Sequence, residues 1–119
     1  MKDISAFAKI YIALDSVDFR KQANGLLLIV KEKLELQPFD SKCLFVFTNR
    51  SKSSIRFLYW DVTGFAVWSK LLEKDKFSWP RVDSESKLSV SPKDLRWLLQ
   101  GADLTKINLH KPLSFEETF

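Results

Sequence analysis

Two hydrophobic periods divide the chain into strands and helices. Residues 9–14 read KIYIAL, rich in β-branched and aromatic side chains, and predict a first strand. Asp15 and Ser16 break it. Ser16 is suited to cap a helix, with Asp18 in the first turn favouring the positive end of the helix dipole. Beyond it Phe19, Ala23, Leu26, Leu27, Val30 and Leu34 recur at helical spacing, which predicts an amphipathic helix over about 17–35. Gly25 costs roughly 1 kcal/mol inside a helix relative to Ala, so it points to close packing against a sheet. Pro38 enforces the stop.

The pattern then shortens to a strand period. Residues 43–48, CLFVFT, form an apolar run consistent with a buried strand, and the polar stretch 49–54 is a loop. Residues 55–60, IRFLYW, resume a strand, and 65–72, FAVWSKLL, pair back on it. Between them Asp61-Val62-Thr63-Gly64 is turn chemistry, with Gly64 expected at the positive-φ position. The three strands make an antiparallel meander. On its middle strand Ile55, Phe57 and Tyr59 share one face, and Arg56, Leu58 and Trp60 share the other. On the next strand Trp68 and Lys70 share a face.

Phe77-Ser78-Trp79-Pro80 reads as a short edge strand, since Pro is tolerated at edges and not at centres. Residues 82–87 are loop-like, and Lys87 to Val90 predict one more strand. Ser91-Pro92-Lys93-Asp94 is a helix start, with Ser at the cap, Pro first inside and Asp at the third position. Leu95, Leu98 and Leu99 supply the apolar face and Gly101 the stop. The expected fold class is α+β: a single domain with a mainly antiparallel sheet, made of the three-strand meander plus edge strands. One long N-terminal helix packs on one face, and one short C-terminal helix lies near the other end. The domain spans 1–103, and 104–119 form a C-terminal tail expected to be partly mobile.

Charge adds one feature. The 119 residues carry a net charge of +4, with 19 basic and 15 acidic side chains. From Arg50 to Arg81 seven basic residues face three acids, and elsewhere twelve face twelve, so the whole excess lies in that segment. The aromatic content is 13%, more than a small core easily hides. Cations neutralise phosphates and flat side chains stack on bases, so a sheet face bearing both is one way to hold nucleic acid. The plainer alternative makes Phe57, Tyr59, Trp68 and Trp79 core residues with cations solvating the rim.

Catalytic apparatus is hard to find. Gly25, Gly64 and Gly101 are too far apart to cradle a phosphate. One Cys and one His do not make a zinc site of the usual kind. Cys43 reads as a buried hydrophobe and His110 as a surface residue. Asp15, Asp18, Asp61 and Glu73 could in principle hold Mg²⁺ for phosphoryl chemistry. Their simpler roles are local: Asp15 and Asp18 at the helix start, Asp61 in the turn, Glu73 answering Lys70 or Lys74. No cofactor or metal is expected. The N-terminus lacks a signal peptide's apolar core and no stretch approaches a membrane span, so the expected setting is cytoplasmic.

The order of motifs carries a family resemblance. Asp18-Phe19-Arg20-Lys21, Gly25-Leu26, Pro38-Phe39 and Leu44-Phe45-Val46-Phe47-Thr48-Asn49-Arg50 come first. Leu58-Tyr59-Trp60-Asp61 with Gly64, Lys70-Leu71-Leu72-Glu73-Lys74 and Phe77-Ser78-Trp79-Pro80 follow, then Leu95-Arg96-Trp97-Leu98-Leu99-Gln100-Gly101-Ala102-Asp103. The set resembles the TnpB accessory proteins of IS-sixty-six-type bacterial insertion sequences, which are unrelated to the RNA-guided nucleases sharing the TnpB name. Leu71 stands where that family usually has a second basic residue, and Gln22-Ala23 where it often has Gly. The resemblance implies a protein encoded in a mobile element beside a separate transposase that carries the catalytic carboxylates. It brings no catalytic residues with it.

The expected function is therefore that of a non-enzymatic accessory protein of DNA transposition. It would bind DNA, or a transposase–DNA complex, through Arg50, Arg56, Trp68, Lys70, Lys74 and Lys76. Its partners would be the transposase and other proteins of the same element. The rivals are a purely protein-binding subunit and a metal-dependent nuclease using Asp15, Asp18 and Asp61.

Overall fold

In the computed structural model, which describes residues 3–72 and 78–100, the apolar run at 43–48 lies at the centre of a five-stranded sheet. The strands are β1 (Lys9–Ala13), β2 (Cys43–Thr48), β3 (Ser54–Asp61), β4 (Gly64–Leu71) and β5 (Lys87–Val90), in the order β4-β3-β2-β1-β5. The β2-β3-β4 meander forms as expected, with Val46 opposite Phe57 and Phe57 opposite Trp68. β5 runs antiparallel to β1, which pairs parallel with β2 in the register Ile10 to Leu44. All six residues of β2 are buried. A strand covered on both faces needs no alternation, hence its apolar run from Cys43 to Phe47, and the buried Thr48 hydroxyl is satisfied by donating to the Ser54 carbonyl at 3.1 Å.

The two helices lie on opposite faces of the sheet: the first packs on one face as expected, and the second covers the other face. On one face Leu44, Val46, Ile55, Phe57 and Tyr59 pack with Leu95 and Leu98 of α2 (Pro92–Leu99). On the other Cys43, Phe45, Phe47 and Leu58 pack with Leu26, Ile29, Val30 and Leu34, from α1 (Ala23–Leu28) and the turn after it. The alternation of strand side chains thus builds two half-cores, and each recruits one helix. Phe57, Tyr59 and Trp79 are core residues, whereas Trp68 stays half-exposed.

α1 is much shorter than the 17–35 helix that periodicity predicts. It begins at Ala23 and passes directly into a π-helical turn over Ile29–Lys33, closed by the bond from Leu34 N–H to the Ile29 carbonyl at 2.9 Å. Residues 17–22 are held in another conformation by non-helical partners. The Val17 N–H donates to the Thr48 carbonyl at 2.9 Å, and the Asp18 carboxylate accepts from the Arg20 N–H at 2.9 Å. Such side-chain-to-backbone bonds compete with helix formation. Ser16 and Asp18 therefore cap nothing, and Gln22 flanks the helix without a side-chain cap. Glu35, with φ 56°, ends the segment in the left-handed region.

Gly25 meets the Lys21 side chain, not the sheet. A Cβ at this position would lie 2.8 Å from Lys21 Cβ. In the β3–β4 turn the positive φ belongs to Val62, at 54°, and not to Gly64. The Thr63 N–H bonds back to the Asp61 carbonyl, so Val62 sits at the centre of a tight, strained γ-turn.

The expected edge strand at 77–80 does not form over Ser78–Pro80, and Phe77 lies outside the described residues. Pro80 and the indole of Trp79 are buried, and Trp79 Nε1 donates to the Ala13 carbonyl at 2.9 Å. Side-chain burial, not ladder pairing, anchors this segment. α2 starts as predicted: Ser91 Oγ accepts from the Asp94 N–H at 3.1 Å and Asp94 accepts from the Ser91 N–H at 3.4 Å. Gly101 and the tail lie outside the described residues.

Candidate nucleic-acid interface

Asn49 shapes the loop that presents Arg50. Its Oδ1 accepts from the N–H groups of Ser53 at 3.0 Å and Ser54 at 3.1 Å, and its Nδ2 donates to Ser53 Oγ at 3.1 Å. Lys52 takes a left-handed φ of 58° to complete the turn. Arg50 stands exposed at the tip, with no hydrogen bond or ion pair among the described residues. It borders an open cleft of about 810 Å³ lined by Ser16–Arg20 and Asn49–Ser51. This cleft lies at the carboxyl ends of the parallel pair β1–β2, the end of an α/β sheet where ligands commonly bind.

Arg56 supports the wall of that cleft from below. Its Nη1 donates to the Lys21 carbonyl at 2.8 Å, and its guanidinium lies 4.5 Å from the Phe19 ring centroid. The segment 17–21 is thereby pinned to β3. Arg20 projects outward with its side chain 91% exposed, and its Nη2 contacts Asp18 Oδ2 at 2.7 Å. Hydrogen bonds from the Arg20 guanidinium, then from its backbone N–H, hold the Asp18 carboxyl down at about 2. Asp18 is thus ionised at any physiological pH and already paired. The positive charge left over around the cleft is that of Arg50.

Trp68 and Lys70 lie on the opposite face. Their partners on β3, Phe57 and Ile55, point into the α2 half-core, so β4's even-numbered side chains follow. Lys70 Nζ donates to the Leu99 carbonyl at 3.2 Å, at the C-terminal end of α2, where a cation suits the dipole. The structure therefore groups Arg50 and Arg56 with the 17–21 segment and sets Trp68 and Lys70 apart from them. Lys74, Lys76 and Glu73 lie outside the described residues. Phe19, Arg20 and Asn49 are the site residues that sequence reasoning passed over. Asn49 was legible as an Asn closing an apolar strand before a Ser-rich turn. The helical reading of 17–35 concealed the other two.

The acids considered for metal binding have local partners or stand apart. Asp18 serves Arg20, and Asp61 ends β3 at the hairpin. Among the described residues no group of three or more His, Cys, Asp or Glu side chains is placed to hold a metal ion. Cys43 is buried and directed at Asp40 Oδ2, 3.6 Å away; burial first, then the Asp40 charge, pushes its thiol up to about 11. Among the described residues no helix is long and apolar enough to cross a membrane.

Residues 8–109 match the family described as IS66 Orf2 like protein. The chain belongs to this family. Two relatives from Sinorhizobium fredii (strain NBRC 101917 / NGR234) are similar to the chain over most of its length. The uncharacterized protein y4jC is 34% identical over 105 residues, spanning 88% of this chain and 87% of its own. The uncharacterized protein y4hO is 35% identical over 95 residues, spanning 80% and 81%. No solved structure matches the chain. Membership in the IS66 family supports an accessory role in transposition, beside the element's transposase.

Proposed function

We propose that this protein is a non-enzymatic accessory factor of transposition that contacts the DNA backbone within a transposase–DNA complex. The observation that carries this reading is the exposed Arg50 guanidinium, without a hydrogen bond or ion pair among the described residues, over the cleft at the carboxyl ends of β1 and β2. The neighbouring Asp18 is neutralised by Arg20, so an incoming phosphate meets net positive charge there. Arg56 acts as a positioning residue that fixes the opposite wall. Lys74 and Lys76 extend the same proposal along the chain segment that carries the net charge. A subunit that binds only protein is the second reading, favoured by the exposed apolar edge of β4.

A salt-titrated anisotropy assay with fluorescent duplex DNA and the full chain tests the first reading. Binding at low salt should weaken linearly in log–log form, with a slope of about −0.9 per phosphate contacted. Arg50→Ala should make the slope shallower by about 1. Absence of binding at low salt would sink direct DNA contact and leave the protein-binding subunit.

A further inference from the structure

The two edges of the sheet are unequal. β5 is four residues long and begins with Lys87, a short and charged edge of the kind that resists pairing. β4 is eight residues long, and among the described residues its outer edge has no partner strand. It exposes Val67 at 38%, Trp68 at 48% and Leu71 at 74%. Its one charge, Lys70, is turned back to the Leu99 carbonyl and does not guard the edge.

The ladder phase determines which backbone groups are free. The Leu72 N–H donates to the Ser53 carbonyl at 2.8 Å, and the register runs unbroken from Ser54–Leu71 to Asp61–Gly64. Bonded and non-bonded pairs alternate in an antiparallel ladder. Lys70, Trp68, Ala66 and Gly64 therefore bond inward to β3. Phe65, Val67, Ser69 and Leu71 turn their N–H and C=O groups to the open edge.

We propose that this edge pairs with β4 of a second copy of the chain, antiparallel and two-fold symmetric about Trp68. This register uses every outward group: Phe65 bonds with Leu71 of the second copy and Val67 with its Ser69. It is self-complementary in side chains too. Trp68 meets Trp68 across the axis on the α2 face, and exposed Leu71 meets Phe65 on the α1 face, beside the Phe39–Trp60–Phe65 ring cluster. Lys70 faces Ala66, so no like charges oppose each other. The contact buries on the order of 1,000 Å² in total, at the lower limit for a specific interface. That size selects a weak dimer over an obligate one.

Sedimentation equilibrium of the full chain from 1 µM to 1 mM reads this directly. The mass should rise from 13.9 kDa towards twice that value, with a midpoint of about 10–100 µM. Trp68→Lys and Trp68→Glu should each stay monomeric with unchanged circular dichroism, and an equimolar mixture of the two should associate. Trp68→Cys offers a second route. Non-bonded antiparallel pairs place Cα atoms about 4.5 Å apart, within disulfide range, so oxidation should yield a covalent dimer faster than Val67→Cys does. A wild-type chain that is monomeric at 1 mM overturns the proposal and leaves the edge to another occupant, such as the chain's own 104–119 segment. Association of Trp68→Lys at wild-type strength overturns the register.

Discussion

Arg56→Met isolates what holds the irregular wall of the cleft. The change keeps an unbranched apolar stem but removes the guanidinium. Two interactions go with it: the 2.8 Å bond to the Lys21 carbonyl and the 4.5 Å contact over the Phe19 ring. A hydrogen bond from a charged group contributes about 1.5–3 kcal/mol, and a partly exposed cation–π contact about 0.5–1 kcal/mol. Arg56 is only partly buried, so solvent replaces some of both, and a net loss of about 2 kcal/mol is expected. In a domain of this size that lowers Tm by roughly 6–10 °C. The loss should be local as well as global. The Val17 amide, bonded to the Thr48 carbonyl in the same segment, should exchange with solvent at least about tenfold faster. Urea denaturation gives the first quantity and hydrogen exchange the second. Arg56→Lys should recover little, because an ammonium lacks the planar fork that bonds and stacks at once. A loss below about 0.5 kcal/mol with unchanged Val17 exchange would show that the wall stands without Arg56.

Two further substitutions and the behaviour of one native thiol test the fold. Trp79→Phe removes the buried bond to the Ala13 carbonyl and part of the ring, and should cost about 2–3 kcal/mol in urea melts. Val62→Gly should raise stability by about 1 kcal/mol, because a β-branched residue at φ 54° is strained and its side chain is exposed. Cys43 should resist thiol reagents at pH 8 until the protein unfolds, since a thiol held at about 11 is only about 0.1% ionised there. The sign of the linked pH effect follows. The native state keeps a proton that the unfolded chain releases near the ordinary value of 9.0. Stability should therefore fall as pH rises from about 9 towards 11.

The strands were legible because their signals are local. The β3–β4 hairpin, β5 and the Ser91 capping box follow from alternation, turn residues and a cap within a few positions of one another. The long helix was misread because periodicity cannot see partners. Phe19 falls on the helical face of the pattern, yet it packs beneath Arg56, 37 positions away in sequence. Gly25 signalled a close approach correctly and its target wrongly, since the crowding atom is Lys21 Cβ. Trp79 read as a strand residue because aromatic character does not distinguish a laddered backbone from a buried side chain on an irregular one. The cationic site suffered most. Arg56 and Lys70 look equivalent in a charge count, but they point to opposite faces of adjoining strands, and each already has a carbonyl partner.

That division separates the two proposed surfaces and makes them independent in experiment. Trp68 shares a face with α2, whereas Phe19, Arg56 and the α1 segment share the other, and Arg50 stands on a loop beyond the sheet. A substitution at Trp68 should therefore change self-association without altering the slope of DNA binding with salt. Arg50→Ala should do the reverse. The two coincide only if DNA must be gripped by both copies at once. In that case the apparent affinity of the wild type rises with protein concentration near the dimer midpoint, while Trp68→Lys loses that rise but keeps its per-copy salt slope. Measuring the DNA-binding isotherm at two protein concentrations either side of that midpoint distinguishes paired from independent contacts.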